Sequence, residues 1–557
     1  MPEICDVLIE IGHGWRRLAS AQADMWLKGD VADDDVVKAF EGLGENTDIA
    51  AVLGALAGLN GHFAIVVRHP DWVCAAVDRV RTIPLVWAYD ETGGLSVAQQ
   101  GRKLVAALRC GRDSVEMDQA LAVALAGYTI GNATLYKGIE TLLPGQFLFC
   151  QGGQVVTEQY HSFVPWQASQ APGDDAAEKS RLAELTLSIL QDLIDRANGR
   201  VIALPLSAGL DSRLIAAGLK HLGYRNVICF AYGRVGNHEA ETSRLIAERL
   251  GYPWHFVPYT NRTMRKIFAS KDYVDFTAYA DSLTGVHFPQ DYPAITALLD
   301  DGTLPRDCIL VNGQSGDFIT GNHIPAALET ALPMTGENDA RLDRVIDALV
   351  GKHFKQWRFL MGGDKLPRIR TMLHEHIVAL ISGEMPSDPA ADYGVYEAAE
   401  FVDRQSKYVV NGQRVYEYLN LEWALPLWDD RYLEYWAHRP ISQKVRQRLY
   451  REMLIEENWA DVWRDIPVNA KLIRPRWLIP IRLAFKVLHA PLGKTRWHLF
   501  ERRFLEYLMS PLCAYATRSW LEIAMDRRGP WTAISPHVEN YLHDHGIEID
   551  RLAGNSN

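Results

Sequence analysis

Short apolar runs alternate with amphipathic helical patterns between residues 201 and 258. The runs are VIALPL, NVICFAYG and WHFVPY, and the intervening RLIAAGLKHLG and ETSRLIAERLG carry apolar residues at helical spacing. Apolar strands that alternate with helices of this length form a parallel sheet with helices on both faces. The alternation therefore predicts a doubly wound α/β unit, which a further helical pattern, RLAELTLSILQDLIDRA, precedes.

The chain is too long, at 557 residues, for one ordinary core, and its start follows another pattern. Short apolar runs broken by turn residues, and a hairpin pattern around Gly152 and Gly153, predict antiparallel sheets there. The fold class is thus α/β, or α+β over the whole chain. The predicted parts are an antiparallel β-rich domain (1–165), a linker (166–184), an α/β domain with a helical C-terminal part (185–470) and a basic helical extension (471–557).

Composition excludes several classes of protein. A net charge of −11 argues against a general nucleic-acid binder, which needs excess Lys and Arg. Seven scattered cysteines without a CxxC pair indicate free thiols in a reducing compartment. We recognise no signal peptide and no apolar run of the ~18 residues that a membrane span needs. We therefore expect a cytoplasmic protein without a transmembrane segment, whose oligomeric state the sequence leaves open.

The turn after the first strand of the α/β unit, SAGLDSR at 207–213, is rich in small and acidic residues. In such sheets ligands lie at the carboxyl ends of the strands, and small residues let the backbone approach an anion there. The start of the next helix adds a favourable dipole. Asp211 would repel a bare phosphate, which indicates a bridging cation such as Mg²⁺. Taken alone, the turn is equally compatible with an ordinary βα turn in which Asp caps the helix.

Several motifs in order resemble one family. SAGLDSR is similar to the Ser-Gly-Gly-x-Asp-Ser loop of ATP-pyrophosphatases, whose parallel-sheet domains are HUP-like. VNGQSGDFITGNH (311–323) and NGQRVYEYLNLEWALPLWD (411–429) resemble later segments of class B asparagine synthetases. GHFAIVVRH and GNATLYKGIETLLPGQFL resemble the Ntn-type glutaminase domain of the same family. The resemblance covers most of residues 60–160 and 185–470.

The resemblance implies an AMP-forming carbon–nitrogen ligase that uses ATP and Mg²⁺. Such an enzyme adenylates a carboxylate, releases pyrophosphate and transfers the acyl group to ammonia or an amine. Asp211 and Asp317 stand at the family's Mg²⁺-ligand positions, Arg414 at a phosphate-clamp position, and Lys471 is the candidate for a lysine that stabilises adenylation. The implied ATP-binding residues are Leu206, Ser207, Ala208, Gly209, Leu210, Asp211, Ser212, Tyr232, Gly233, Asn312 and Gly313. Tyr232 is equally compatible with a core aromatic, and Arg414 or Lys471 alone with a solvated surface charge.

Two departures from the family pattern bear on the chemistry. Residue 2 is Pro where glutamine-hydrolysing members have the catalytic Cys, so we expect Cys5 to be buried in a first strand and the domain to be a vestigial glutaminase. Gln314 replaces a Glu and cannot act as a base, although it can position a nucleophile by hydrogen bonds. Glu422, by analogy with β-lactam synthetases, is then the candidate base, with a structural carboxylate paired with Arg414 or a backbone N–H as an equally favoured alternative.

Three functions remain open. GDFITGNH and EWALPLWD resemble relatives associated with surface-polysaccharide synthesis, which favours an amide ligase acting on a small-molecule or sugar carboxylate. The alternatives are an intramolecular cyclase of the β-lactam synthetase or lasso-peptide type, and a degenerate protein that binds ATP without catalysis. Amide formed without an added amine would indicate the cyclase, and pyrophosphate release would exclude the degenerate protein.

A basic segment follows the α/β domain. Between Arg464 and Arg503 there are ten Lys or Arg against Asp465 and Glu501, interleaved with aromatic and apolar residues. Such a segment can rest on an anionic membrane surface. It can also pack on the α/β domain and leave a solvated basic face. Of the two, the sequence favours the packed helix with a solvated basic face.

Overall fold

The computed structural model describes residues 5–20, 22–91, 93–171, 173–287, 290–330, 338–468, 473–530 and 532–554. It is a mixed α/β protein with antiparallel pairing at its start, a parallel sheet in its middle and many helices. Lys471, a predicted site residue, lies outside the described residues.

The amino-terminal part carries ten strands in two sheets within the described ranges. The strands are β1 (Cys5–Leu8), β2 (Arg16–Leu18), β3 (Asp24–Gly29), β4 (Phe63–Arg68), β5 (Trp72–Val77), β6 (Val86–Tyr89), β7 (Leu95–Ala98), β8 (Ile139–Thr141), β9 (Gln146–Gln151) and β10 (Gln154–Gln159). Its helices are α1 (Asp33–Phe40), α2 (Ile49–Ala57), α3 (Gly101–Ala107) and α4 (Met117–Ala126). One sheet has the antiparallel order β10-β9-β5-β4-β3-β2, and the other has the order β1-β7-β6-β8.

The apolar run in β4 is continuous because both faces of this strand are covered. Ala64 and Val66 belong to the core that β1 and β7 share, whereas Ile65 and Val67 pack with α1 and α2. The predicted hairpin is confirmed, since β9 and β10 join at Gly152 and Gly153. Cys5 lies buried in the first strand, as predicted.

The middle part is built on a parallel sheet of order β13-β12-β11-β14-β15. Its strands are β11 (Ile202–Pro205), β12 (Val227–Gly233), β13 (Trp254–Pro258), β14 (Ile309–Val311) and β15 (Glu422–Ala424). The first three confirm the strand–helix alternation of the sequence. Chain order reverses between β11 and β14, so this is the switch point at which doubly wound sheets bind ligands.

Helices cover this sheet and extend beyond it. They are α5 (Asp175–Ala197), α6 (Asp211–His221), α7 (His238–Leu250), α8 (Asn261–Phe268), α9 (Lys271–Ala280), α10 (Tyr292–Asp300), α11 (Asn338–His353), α12 (Lys365–Leu380), α13 (Asp392–Glu400), α14 (Arg414–Tyr418), α15 (Asp430–Ala437), α16 (Ile441–Lys444) and α17 (Arg448–Glu457). A π-helical segment, Phe401–Val409, continues from α13. Helix α5 begins inside the predicted linker, because the Asp174 side chain accepts backbone N–H bonds and caps it there.

The last part of the chain is helical, as expected. Its helices are α18 (Leu478–His489), α19 (Gly493–Phe500), α20 (Glu506–Met509), α21 (Trp520–Met525) and α22 (Ser535–Asp544). Val538 and Leu542 of α22 share a core with α4, so this end of the chain returns to the amino-terminal part. In the part of the chain that the structure describes, no helix combines the length and the apolar character needed to cross a bilayer.

Candidate functional site

A crevice of about 630 Å³ opens at the carboxyl ends of the parallel strands. Among the residues predicted from the sequence, those that line it are Ser207, Gly209, Asp211, Ser212, Tyr232, Asn312, Gly313, Gln314 and Asp317. Leu206, Ala208 and Leu210 are buried beneath the first loop. Gly233 ends β12, where an added Cβ would lie 2.7 Å from the Pro511 carbonyl oxygen. The structure thus gathers the two predicted loops at one switch point.

The first loop is closed by its own serines. The Ser207 N–H donates to Ser212 Oγ at 3.0 Å, and the Gly209 N–H donates to Ser207 Oγ at 3.1 Å. Beneath the loop, the buried Arg213 guanidinium donates to the Ala208 carbonyl at 3.0 Å. Helix α6 begins at Asp211, so its free N–H groups and the serine hydroxyls face the same turn. This turn is suited to bind an anion.

The second loop passes so close to the first that it requires glycine. A Cβ on Gly313 would lie 2.8 Å from the Ser212 nitrogen, and a Cβ on Gly316 would lie 2.7 Å from Asp211 Oδ1. Both distances are shorter than side chains tolerate, so the small residues at 313 and 316 allow the two loops to meet. The Gln314 N–H donates to Asn312 Oδ1 at 2.9 Å and fixes the turn between them.

Asp211 and Asp317 interact across these loops. Burial, together with the neighbouring Asp317 charge, raises the pKa of Asp211 to about 8, although the Tyr450 hydroxyl donates to it at 3.2 Å. Burial opposes ionisation of Asp317 as well, but His323 at 3.2 Å holds the pKa of Asp317 below its ordinary value. The Asp317 side chain is 44% exposed. The crevice therefore presents two carboxylates, one of which is not balanced by a cation.

A buried glutamate positions the histidine behind Asp317. Glu400 contacts His323 Nδ1 and accepts hydrogen bonds from the Tyr396 hydroxyl at 2.6 Å and from Gln405 Nε2 at 2.9 Å. Burial disfavours charge on His323, but Glu400 and Asp317 together raise its pKa to about 9. His323 is therefore protonated at neutral pH and fixes the Asp317 carboxylate from behind. The sequence analysis did not single out this network.

Two further charged groups in the crevice were missed. Arg404, on the π-helical segment, lines the crevice and stacks 5.1 Å from the Tyr408 ring, with no ion pair among the described residues. Asp291 accepts bonds from the hydroxyls of Tyr232 and Tyr416, the latter at 2.5 Å, and burial raises its pKa. Neither residue stands in a recognisable motif. Tyr232, left open in the sequence analysis, is thus a crevice residue.

Glu422 does not reach the crevice. It begins β15, and because the sheet is parallel the first residue of this strand lies at the opposite, amino edge, beside Ile309. Its carboxylate accepts hydrogen bonds from Arg196 at 2.8 Å and Arg200 at 2.5 Å. Burial opposes the change, but these two guanidinium groups lower the pKa of Glu422. The Glu422 carboxylate is thus paired within the protein, although its partners among the described residues are Arg196 and Arg200 and not Arg414 or a backbone N–H.

Arg414 is also absent from the crevice. Its side chain is fully buried, pairs with Glu417 and lies 4.9 Å from the Tyr279 ring centroid. Glu417 in turn pairs with Lys28 of the amino-terminal part at 2.7 Å. The helical register of α14 directs Arg414 into this buried cluster, where it fastens the two parts of the chain together. It is neither a surface charge nor in reach of the crevice.

Comparisons with known proteins identify no family. No family model and no curated protein matches this chain. The structure of the allosteric regulatory enzyme of purine biosynthesis is 11% identical over 44% of this chain and 62% of its own length, with a TM-score of 0.19. Glutamine phosphoribosylpyrophosphate amidotransferase from B. subtilis, complexed with ADP and GMP, is 11% identical over 46% of this chain and 74% of its own length, with a TM-score of 0.16. This chain therefore spans less than two thirds of the first structure, and similarity at this level defines no activity.

Proposed function

We propose that this chain is an ATP- and Mg²⁺-dependent, asparagine synthetase-like ligase that adenylates a carboxylate and transfers the acyl group to ammonia or an amine. One observation carries the proposal. The small-residue turn after β11 and the loop after β14 meet at the switch point and hold Asp211 and Asp317 in one crevice.

The two carboxylates fit a magnesium ion. Mg²⁺ prefers oxygen ligands and is usually held by one or two carboxylates together with substrate phosphates. Among the described residues no group of three or more His, Cys, Asp or Glu could hold a metal by itself, which agrees with an ion that arrives with phosphates. A cation here would also offset the burial and the like-charge repulsion from Asp317 that together raise the pKa of Asp211. Asp211 and Asp317 would hold the ion, which would offset charge on the phosphates.

The remaining crevice groups fit the phosphates of ATP. The turn at 207–212 offers serine hydroxyls and the start of α6, and Arg404 offers a guanidinium without a carboxylate partner among the described residues. Arg404 therefore takes the phosphate-binding role that the sequence assigned to Arg414. Pyrophosphate leaves as the substrate carboxylate oxygen bonds to the α-phosphorus, and a positive side chain stabilises that departing charge.

The second half-reaction needs a group that accepts a proton from the amine. Gln314 lines the crevice and can only orient the amine. Asp291 is the crevice carboxylate outside the Asp211–Asp317 pair, and its raised pKa suits a general base. The amine nitrogen then bonds to the acyl carbon as AMP leaves.

The amine does not come from glutamine in this proposal. Burial, reinforced by Cys150, raises the pKa of the Cys5 thiol to about 12. The thiol is protonated at neutral pH and has no access to substrate, because Cys5 is 0% exposed. The amino-terminal part then acts as a scaffold that completes the fold.

ATP–pyrophosphate exchange tests the proposal. The protein is incubated with Mg²⁺, ATP and labelled pyrophosphate against a panel of amino acids, sugar acids and peptide carboxylates. We expect exchange with at least one of these carboxylates, and AMP on addition of ammonia or an amine. If ATP binds but no carboxylate in the panel supports exchange, the degenerate ATP-binding protein is favoured. If the product is ADP, adenylation is excluded. If amide forms without an added amine, the protein is a cyclase.

A further inference from the structure

Helices α18 and α19 form a hairpin, residues 478–505, that is held together along one side. Leu478 and Trp497 are buried between the helices, and the rings of Phe485 and Phe500 lie 4.9 Å apart. Arg482 pairs with Glu501 across the same seam. On a helix with 3.6 residues per turn, Leu478, Arg482 and Phe485 share one face. This face of α18 is therefore the one that packs on α19.

The opposite face of α18 is apolar and exposed. It carries Ile479, Ile481, Leu483, Val487 and Leu488, with exposed fractions of 44%, 39%, 60%, 65% and 68%. Pro480 and Ala484 fill the same face, and no charged residue interrupts it. Soluble helices ordinarily turn such a face towards a core. The sequence favours a packed helix with a solvated basic face, but the solvated face of α18 is apolar.

Exposed cations lie on the same hairpin as this apolar face. From 473 to 505 the chain has eight Lys or Arg and a single acidic residue, Glu501, although the whole protein has a net charge of −11. The cations that are exposed are Arg476, Lys486, Lys494 and Arg496. Trp477, next to the start of α18, is 57% exposed. An apolar face with Trp, bordered by Lys and Arg, is the pattern of helices that lie in a bilayer interface.

We propose that the hairpin docks on the surface of an anionic lipid bilayer. Helix α18 has 12 residues and is about 18 Å long, so it lies along the interface and does not cross it. Its apolar face enters the boundary between headgroups and acyl chains, while the surrounding cations contact lipid phosphates. A second copy of the chain fits less well, because a symmetric contact through this face would bring two cationic rims together.

The hairpin is attached at the crevice edge of the parallel sheet. Arg474, before α18, donates to the Gly236 carbonyl at 3.1 Å, and the Arg234 N–H donates to the Pro511 carbonyl at 2.6 Å. Both contacts lie just beyond the carboxyl end of β12. A docked hairpin therefore holds this edge of the sheet beside the lipid headgroups, whatever reaction the crevice performs.

Vesicle sedimentation of the full chain tests the proposal. Vesicles of phosphatidylcholine with one quarter phosphatidylglycerol are compared with pure phosphatidylcholine, at about 50 mM and about 500 mM NaCl. We expect binding to the anionic vesicles that weakens at high salt. The L483Q/V487Q variant should bind at least ~10-fold more weakly. I11Q/L53Q removes exposed apolar side chains from the amino-terminal part and should bind like the wild type.

Charge reversal separates the contribution of the cations. K486E/K494E should lower the affinity for anionic vesicles by ~10-fold or more, whereas K38E/R109E, the same change at exposed positions of the amino-terminal part, should not. Circular dichroism confirms that each variant is folded. The proposal is overturned if the wild type does not sediment with anionic vesicles, or if L483Q/V487Q binds as the wild type does. A dimer that L483Q/V487Q converts to a monomer, without any vesicle binding, would assign the face to a second copy and overturn it as well.

Discussion

Charged side chains cluster at both edges of the parallel sheet. Those at the amino edge are paired within the protein, whereas, in the part of the chain that the structure describes, several at the carboxyl edge are not. At the amino edge Glu422 lies between Arg196 and Arg200, and the neighbouring Glu417 pairs with both Lys28 and Arg414. Each carboxylate there has cationic partners within the protein. This arrangement fixes the amino-terminal part against the parallel sheet.

At the carboxyl edge Asp317 pairs with His323, but other charged groups have no such partner among the described residues. Asp211 and Asp291 accept hydrogen bonds from tyrosine hydroxyls, and in the described ranges neither forms an ion pair. Arg404 lines the same crevice without a carboxylate at salt-bridge distance among those residues. Burying an unbalanced charge is unfavourable, so burial raises the pKa of both Asp211 and Asp291, and a cationic ligand would favour their ionised forms. In this molecule the paired charges fasten two parts of the chain together, whereas the unpaired ones line the crevice.

The largest effect on stability is expected at the amino edge. Glu417→Gln leaves Lys28 and Arg414 buried without their anion and should lower the free energy of unfolding by about 3–5 kcal/mol. Asp211→Asn makes the same chemical change at the crevice, where the charge is unfavourable, and should leave stability unchanged or raise it in the absence of Mg²⁺. Thermal unfolding of both variants measures the contrast. Equal destabilisation would remove the distinction between the edges.

Activity should depend more on the carboxyl edge of the sheet than on the amino edge. Asp211→Asn removes a proposed Mg²⁺ ligand and should slow ATP–pyrophosphate exchange by ~10²–10³-fold. Glu422→Gln, the matched carboxylate change at the amino edge, should keep exchange and amide formation close to wild type while lowering the melting temperature. If amide formation alone collapses in Glu422→Gln, the base predicted from the sequence acts in the reaction after all.

The two arginines allow a smaller and more specific contrast. Arg404→Met removes the crevice cation and should weaken ATP binding by ~10–100-fold, the range for a charged hydrogen bond. Arg414→Met should leave ATP affinity within about twofold and show its effect in stability, because its charge is already paired inside the protein. Isothermal titration calorimetry with Mg-ATP measures both. Weaker ATP binding in Arg414→Met than in Arg404→Met would reverse the assignment.

The smallest effect concerns pH at the amino edge. Burial disfavours charge on His62, but Asp30 raises its pKa to about 9, and His62 also contacts the Trp428 carbonyl at 3.3 Å. A raised histidine pKa adds stability that is complete below pH ~6.5 and is lost as pH rises towards 9. The wild type should lose stability across this range, and His62→Gln should lose less. Parallel curves for both proteins would show that another group titrates.

The sequence predicts those strands, helices and loops that depend mainly on residues close together in the chain. The alternation of apolar runs and helices gives β11 to β13 with α6 and α7, and small residues after β11 and β14 give the crevice loops. Other parts depend on contacts distant in the chain, which no single sequence reveals. Asp291, Arg404 and Thr532 join the crevice from separate segments.

One clue for Glu422 was present in the sequence. The segment EWAL is apolar enough to be a strand, and the first residue of a parallel strand lies at the edge opposite the ligand crevice. The motif resemblance assigns Glu422 a role from the residues around it in the sequence. The direction of β15, in contrast, shows that Glu422 lies at the amino edge of the sheet. The direction of a strand in the sheet thus decides which edge a residue such as Glu422 occupies.

Thr532 and Ile534 form one wall of the crevice, and they are synthesised after all the other residues that line it. The turn at 207–212 leaves the ribosome more than 300 residues before this wall. A nascent chain that ends before residue 532 has the loops, both carboxylates and Arg404, yet one side of its crevice is open to water. The crevice therefore has its complete lining only once the segment that carries Thr532 and Ile534 has docked on the rest of the fold.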